Sequence, residues 1–155
     1  MTTLTDRFTQ HATFVVERTY PVPVERVWAA HADNAQRVQW FGAEDSFVAT
    51  EDTQDFRVGG RTVNDGRWHD GPTSRYVSTY TDIVENRRIV NTYDMWVDGE
   101  HLSTSIATTE LEPVDGGTRL TYTEQGVYFD VLDHAPQREQ GCAGILDALG
   151  AFLTR

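Results

Sequence analysis

Lysine is absent from the chain, and all 13 basic residues are arginine. That absence excludes Schiff-base chemistry on a lysine amine and the lysine of a phosphate-binding loop. Cysteine is almost missing too: Cys142 stands alone, so no internal disulfide can form and a reducing compartment is expected. No apolar run approaches the roughly 18 residues of a membrane span. The opening MTTLTDRFTQHAT has neither the basic start nor the apolar core of a signal peptide, so a cytoplasmic location is the expectation. Basic charge is scarce beside acidic charge, 13 residues against 24, for a formal net charge of −11. Such a surface repels phosphate backbones and anionic lipid, so neither nucleic acid nor membrane is expected as a partner. His11, His31, His69, His101 and His134 show neither His-x-His nor i, i+4 spacing. No second cysteine accompanies them, so no metal site is expected. G-x-S-x-G, phosphate-loop and dinucleotide fingerprints are missing as well, and no cofactor is implied.

What is present is an ordinary globular composition, 39% hydrophobic over 155 residues, enough for one self-sufficient core. Residues 1–12 are polar and are expected to form a flexible N-terminus, with a single domain over residues 13–155. The run TFVVERTY (Thr13 to Tyr20) is β-branched and aromatic and reads as a strand that Pro21 and Pro23 end. Pro23 suits a first helical turn, and Val24, Val27, Trp28 and His31 recur at helical spacing. Asp33 or Asn34 can cap a second small helix, from Ala35 to Trp40, that Gly42 terminates. From Asp45 to Gln125, β-branched runs alternate with the turn signals VGGR, NDG (Asn64 to Gly66), HDGP, ENRR, VDGE and VDGG. Loops this short join antiparallel hairpins. A closing helix opens at Asp133 or His134 with Pro136 in its first turn. Its apolar stripe is Cys142, Ile145, Leu146, Leu149, Phe152 and Leu153. Beside it runs a stripe of small residues, Gly141, Gly144, Ala148 and Ala151, each glycine costing about 1 kcal/mol against alanine. Either close helix–sheet packing or space left for a ligand accounts for that cost.

This order is that of an α+β helix-grip: a curved antiparallel sheet of six or seven strands around a long C-terminal helix, with two small helices after the first strand. The segments FVVERTYPVPVERVWAAHAD, VQWFGAE, DFRVGGR, DIVENRRIVNTYDM, TSIATTELEPVDGGTRLTYTEQG and REQGCAGILDALGAFL follow one another here. Together they resemble the activator of Hsp90 ATPase homologue 1-like family, within the START/Bet v 1-like (SRPBCC) superfamily, from about Phe14 to Leu153. Two positions depart from the family pattern, Cys142 where many relatives carry tryptophan and Ala43 where many carry proline.

The resemblance and strand alternation together predict the inward face. It takes Ile89, Asn91, Tyr93 and Met95, then Ser105, Ala107, Thr109 and Leu111, then Leu120, Tyr122 and Glu124. Asn91, Ser105, Thr109 and Glu124 are polar there. Dry and unpaired they would each cost a few kcal/mol, so either a wet or ligand-filled cavity or mutual hydrogen bonds must satisfy them. Trp40, Phe41, Trp68, Tyr93 and Tyr122 would form aromatic walls, with Trp40 and Phe41 at the lip, while Trp28 reads as core. Met95, Cys142 and Leu146 complete the expected lining, and Cys142 reads as a small buried hydrophobe. His134, Arg138 and Glu139 fall near a cavity mouth and are expected to be solvated. Tyr76, Tyr80 and Trp96 are expected to look outward and to suit a weak two-fold contact, giving a monomer or weak homodimer.

The family resemblance implies binding of a small hydrophobic or aromatic molecule in the cavity between sheet and C-terminal helix. Two other readings are open. One is a cyclase- or aromatase-like enzyme acting in the same cavity, for which Glu124 with Asn91 or Tyr93 is the nominated acid–base pair. The other is a chaperone-interaction role of the Hsp90-activating kind.

Overall fold

The computed structural model describes residues 8–130 and 133–155, and its strands form one antiparallel sheet. These are β1 (Thr9–Tyr20), β2 (Phe47–Gln54), β3 (Arg61–Trp68), β4 (Thr73–Val84), β5 (Arg88–Val97), β6 (Glu100–Val114) and β7 (Gly117–Phe129). Their order is β1-β7-β6-β5-β4-β3-β2, so β2 to β7 are a meander and β1 pairs with its last strand. The helices α1 (Val24–Ala32) and α2 (Asn34–Arg37) connect β1 to β2, and α3 (Ala135–Leu153) closes the chain. This is the expected α+β helix-grip. Local chemistry sets the joints. Asp98 and Gly99 both take positive φ, 50° and 80°, the two-residue turn that suits the twist of paired strands. Asp33 caps α2 by accepting a hydrogen bond from the Ala35 N–H at 3.1 Å.

Three expectations change. Strand β1 starts at Thr9, where residues 9–12 pair with Gly126–Phe129 instead of fraying; residues 1–7 of the expected N-terminal tail lie outside the described residues. The segment Asn64 to Gly66 is not a turn but the middle of β3. Gly66 is needed there because the Phe47 ring lies over it, and a Cβ would sit 2.3 Å from Phe47 Cζ. Finally, Tyr76 and Tyr80 point inward, opposite Met95 and Asn91. Ile83 still pairs with Ile89, but the register slips between Tyr80 and Asp82. One extra residue at Thr81 reverses the parity of β4, so strict alternation from Ile83 puts its tyrosines on the wrong face. Trp96 does lie on the outer face, stacked on His101, which in turn meets Phe129.

Helix α3 grips one half of the sheet only. It buries Cys142, Leu146, Leu149, Phe152 and Leu153. The Tyr20 hydroxyl donates to the Leu146 carbonyl at 2.7 Å, and Arg18 Nε pairs with Asp147 at 2.7 Å, both drawing the helix onto β1. Gly150 is the close-packing glycine, since a Cβ there would meet the Tyr20 ring at 3.1 Å. Gly141 and Gly144 have nothing within 4 Å of a would-be Cβ, so close packing does not account for them. The core beneath α3 continues through Phe14, Val16, Leu120 and Leu111 to Val27, Trp28 and Ala30 of α1.

Trp40 belongs to that core, only 5% exposed. Its indole N–H donates to the Ala30 carbonyl at 3.0 Å, and its ring meets His31 edge-on. Replacement by alanine should therefore cost about 3–5 kcal/mol, the range of buried large-to-small changes. Urea denaturation of Trp40→Ala measures this; a loss below about 1.5 kcal/mol would show that the ring is not part of the core.

Candidate functional site

Because α3 covers the β1–β7 side, it does not fill the concave face over β3, β4 and β5, and a cavity of about 870 Å³ occupies that space. Its floor is laid out by register. One row of cross-strand partners runs Asp52–Asn64–Tyr76–Met95, and the next runs Gln54–Thr62–Ser78–Tyr93. Above it stand α1 and α2 with His31, Arg37, Trp40 and Phe41, and along one side the small residues of α3. Gly141, Gly144, Ala148 and Ala151 all line the cavity and are solvent-accessible, so the site opens along this edge of the helix. Edge-on aromatic contacts build the wall, from Trp40 to Phe41 and from Phe41 to Tyr76, whose ring then meets Tyr93 at 4.9 Å.

Ten of the twelve expected lining residues surround this space: Trp40, Phe41, Trp68, Asn91, Tyr93, Met95, Thr109, Tyr122, Cys142 and Leu146. Ser105 and Glu124 do not. Glu124 is 0% exposed and lies behind Tyr93 and Tyr122. Its Oε1 accepts from the Tyr93 and Tyr122 hydroxyls at 2.6 and 2.7 Å, and its Oε2 from Ser105 and Tyr128 at 3.1 and 2.9 Å. Four hydroxyl donors match the four lone-pair directions of a carboxylate, and the Cys142 thiol donates weakly to Oε1 from 3.7 Å. Arg138 adds charge compensation 3.6 Å away. Mutual hydrogen bonds thus satisfy Glu124 and Ser105. They also satisfy Asn91, whose amide donates to Ser78 Oγ at 2.9 Å and not to Glu124. Of the nominated acid–base pairing, Tyr93 touches Glu124, and the carboxylate has no free oxygen toward the cavity.

Arg138 was expected in solvent, yet its side chain is 12% exposed. It donates to the Tyr93 hydroxyl and Ser103 Oγ, both at 2.9 Å, and pairs with Asp133. Burial works against its charge, but Tyr93, Asp133 and Glu124 outweigh that and hold its pKa above the usual guanidinium range. His134 is exposed and caps α3, accepting from the Gln137 N–H at 3.3 Å. Arg37, Gln54, Asn64, Tyr76 and Tyr80 line the cavity without having been expected there. For the burial of Arg138 one signal was available: an inward Glu124 demands a buried cation close by. Among the described residues, no three His, Cys, Asp or Glu side chains gather in a way that could hold a metal ion.

Burial raises the phenol pKa values of Tyr76, Tyr93 and Tyr122. It also pushes the Cys142 thiol from 9.0 up to about 12, with the charge of Glu124 adding to it. The fold therefore holds these protons more tightly than the unfolded chain does. The stability they contribute is present below the ordinary thiol and phenol values and is lost progressively as pH rises from those values through the raised ones of the folded state. Urea midpoints should fall steeply above about pH 10. Absorbance near 295 nm should show these phenols ionising only as the protein unfolds; their titration in the folded state near pH 10 would contradict this burial.

Comparison with known proteins bears on this architecture. The chain matches the Activator of Hsp90 ATPase homolog 1-like protein family over residues 21–154. A crystal structure of the Mll3558 protein from Rhizobium loti is 43% identical, with 94% of this chain and 99% of that chain covered and a TM-score of 0.86. A structure of a protein from Rhizobium leguminosarum is 36% identical over 96% of this chain and 98% of that one, with a TM-score of 0.91. An AHSA1-like protein from Aeromonas hydrophila, solved by NMR, is 25% identical over 92% of each chain, with a TM-score of 0.72. A comparison with curated proteins returned no match. No described helix is long and apolar enough to cross a membrane. With the family match spanning its helices, its meander and the walls of its cavity, the chain belongs to the Activator of Hsp90 ATPase homolog 1-like family.

Proposed function

We propose that this protein binds a small, largely hydrophobic aromatic molecule in the cavity between β3–β5, α1–α2 and α3. The observation that carries the reading is the pair of glycines on the cavity side of α3. Each lowers helix stability by about 1 kcal/mol relative to alanine. Neither is required by close packing, since nothing outside the helix's own backbone lies within 4 Å of either would-be Cβ. What the two positions provide is open volume beside an aromatic wall. A cavity of about 870 Å³ falls in the range of small-molecule sites. The buried, fully bonded Glu124 supports binding over catalysis, because a base with every lone pair occupied has no proton acceptor to offer a substrate.

The test is a thermal-shift screen with aromatic and lipid-like compounds, paired with the variant Gly144→Leu. A ligand of the native state at about a hundredfold excess over its Kd should raise Tm by roughly 5–10 °C. The same ligand should change the fluorescence of Trp40 and Trp68, both of which line the cavity. Gly144→Leu should fold with equal or higher Tm, since it replaces a helix glycine by a good helix former, and should lose the ligand response. A variant that binds every hit as well as the parent would place the site elsewhere.

A further inference from the structure

One histidine in the cavity wall has its two ring nitrogens in different situations. His31 stands on the inward stripe of α1, one turn after the buried Val27 and Trp28. Its Nδ1 lies 2.9 Å from the Val27 carbonyl. A carbonyl oxygen can only accept, so Nδ1 carries the proton. Burial outweighs that bond and holds the imidazole pKa below its ordinary value, so the ring is neutral at neutral pH. With the proton on Nδ1, Nε2 is an acceptor. Among the described residues Nε2 has no hydrogen-bond partner, nor is it one of the unpaired side-chain atoms sealed from solvent.

The neighbours of the ring decide what that lone pair faces. Nδ1 is turned back onto the helix, so Nε2, on the far side of the ring, is directed away from it. Trp40, itself buried, packs edge-on against the imidazole at a centroid distance of 5.0 Å. The His31 carbonyl accepts from Gln54 Nε2 at 3.0 Å, which ties the residue to β2. His31 is half-buried and lines the cavity, so the surface these contacts leave is cavity surface. From Trp40 the aromatic wall continues to Phe41 and Tyr76. An aromatic body lying along that wall can therefore turn a substituent toward His31.

A neutral imidazole nitrogen calls for a donor. Carboxylate, ketone and ether oxygens bring none, whereas a hydroxyl does. With the cavity as the ligand site, a reading on which this one rests, we infer that His31 Nε2 accepts a hydrogen bond from a phenol-type hydroxyl on the aromatic ligand. His31 is then a specificity-determining residue: it favours hydroxylated aromatics over those whose oxygen has no proton.

Calorimetric titration of three naphthalenes at neutral pH tests this. 2-Naphthol carries a donor, 2-methylnaphthalene matches its shape without one, and 2-methoxynaphthalene keeps the oxygen but not the proton. His31→Phe should weaken 2-naphthol by about tenfold, the worth of one well-made hydrogen bond. It should leave the other two within about twofold of the parent. Circular dichroism confirms that the variant is folded, and nitrogen NMR of the parent protein supplies a measurement that needs no variant. The His31 signals should show Nδ1 protonated and Nε2 bare, with Nε2 moving upfield when 2-naphthol binds and staying in place with 2-methylnaphthalene. A 2-naphthol loss no larger than that of 2-methylnaphthalene, or a proton on Nε2, would overturn the assignment while leaving the cavity a ligand site. Weakening of 2-methoxynaphthalene as severe as that of 2-naphthol would show that the ring donates, and would overturn it too. If none of the three binds the parent, the hydroxyl subsite and the cavity reading fall together.

Discussion

The structure turns on one buried carboxylate. Glu124 is shut away from water, and moving an ion there costs several kcal/mol unless its partners are arranged in advance. Tyr93 comes from β5, Ser105 from β6, Tyr122 and Tyr128 from β7, and Arg138 from α3. Three adjacent strands and the long helix must therefore be in register for a single group to be satisfied. Bonds to a charged acceptor are worth about 1.5–3 kcal/mol each, so a register slip would forfeit several at once. This makes the cluster a device for uniqueness as much as for stability. It also sets the depth of the cavity, since Tyr93 and Tyr122 spend their hydroxyls on Glu124 and present only ring surface forward.

The second constraint is the off-centre seat of α3. Contacts to Tyr20 and Arg18 of β1 hold the helix to one side, and its N-terminal turn is anchored through Arg138. A helix gripping the middle of the sheet would fill the concave face with leucine and phenylalanine. Seated at the edge, it buries those residues against β1 and β7 and leaves the floor of β3–β5 to Asn64, Tyr76 and Asn91. Glycine at 141 and 144 follows from the same placement, because any larger side chain there would project into the open volume.

Much of this was legible in the residues. Proline at positions 21 and 23, the Asp-Gly turn at 98–99 and the helical spacing of the last segment act locally, over a few residues, and the elements they announce are present. The strand faces of β5, β6 and β7 also follow from alternation, because their long inward runs keep one parity where they pass the cavity. The errors fall where parity breaks. A bulge at Thr81 turned Tyr76 and Tyr80 from supposed surface aromatics into cavity wall. The Asn-Asp-Gly string at 64–66 looked like turn chemistry, but the glycine is there to admit Phe47 across β2.

By itself, the sequence determined the class of fold, the order of its elements and most of the residues that face inward, since each of these depends on local propensity and the period of apolar residues; it did not show that Trp40, expected at a cavity lip, is packed into the core against Ala30 and His31. Tertiary structure alone decided which inward polar groups are paired and which are not. Glu124 and Arg37 are both charges on buried faces, indistinguishable in kind from the chain alone. One is surrounded by donors from three strands and a helix, while the other keeps a nitrogen unpaired in the wall of an open space. That difference is set by distances between residues far apart in the chain, which no local pattern encodes.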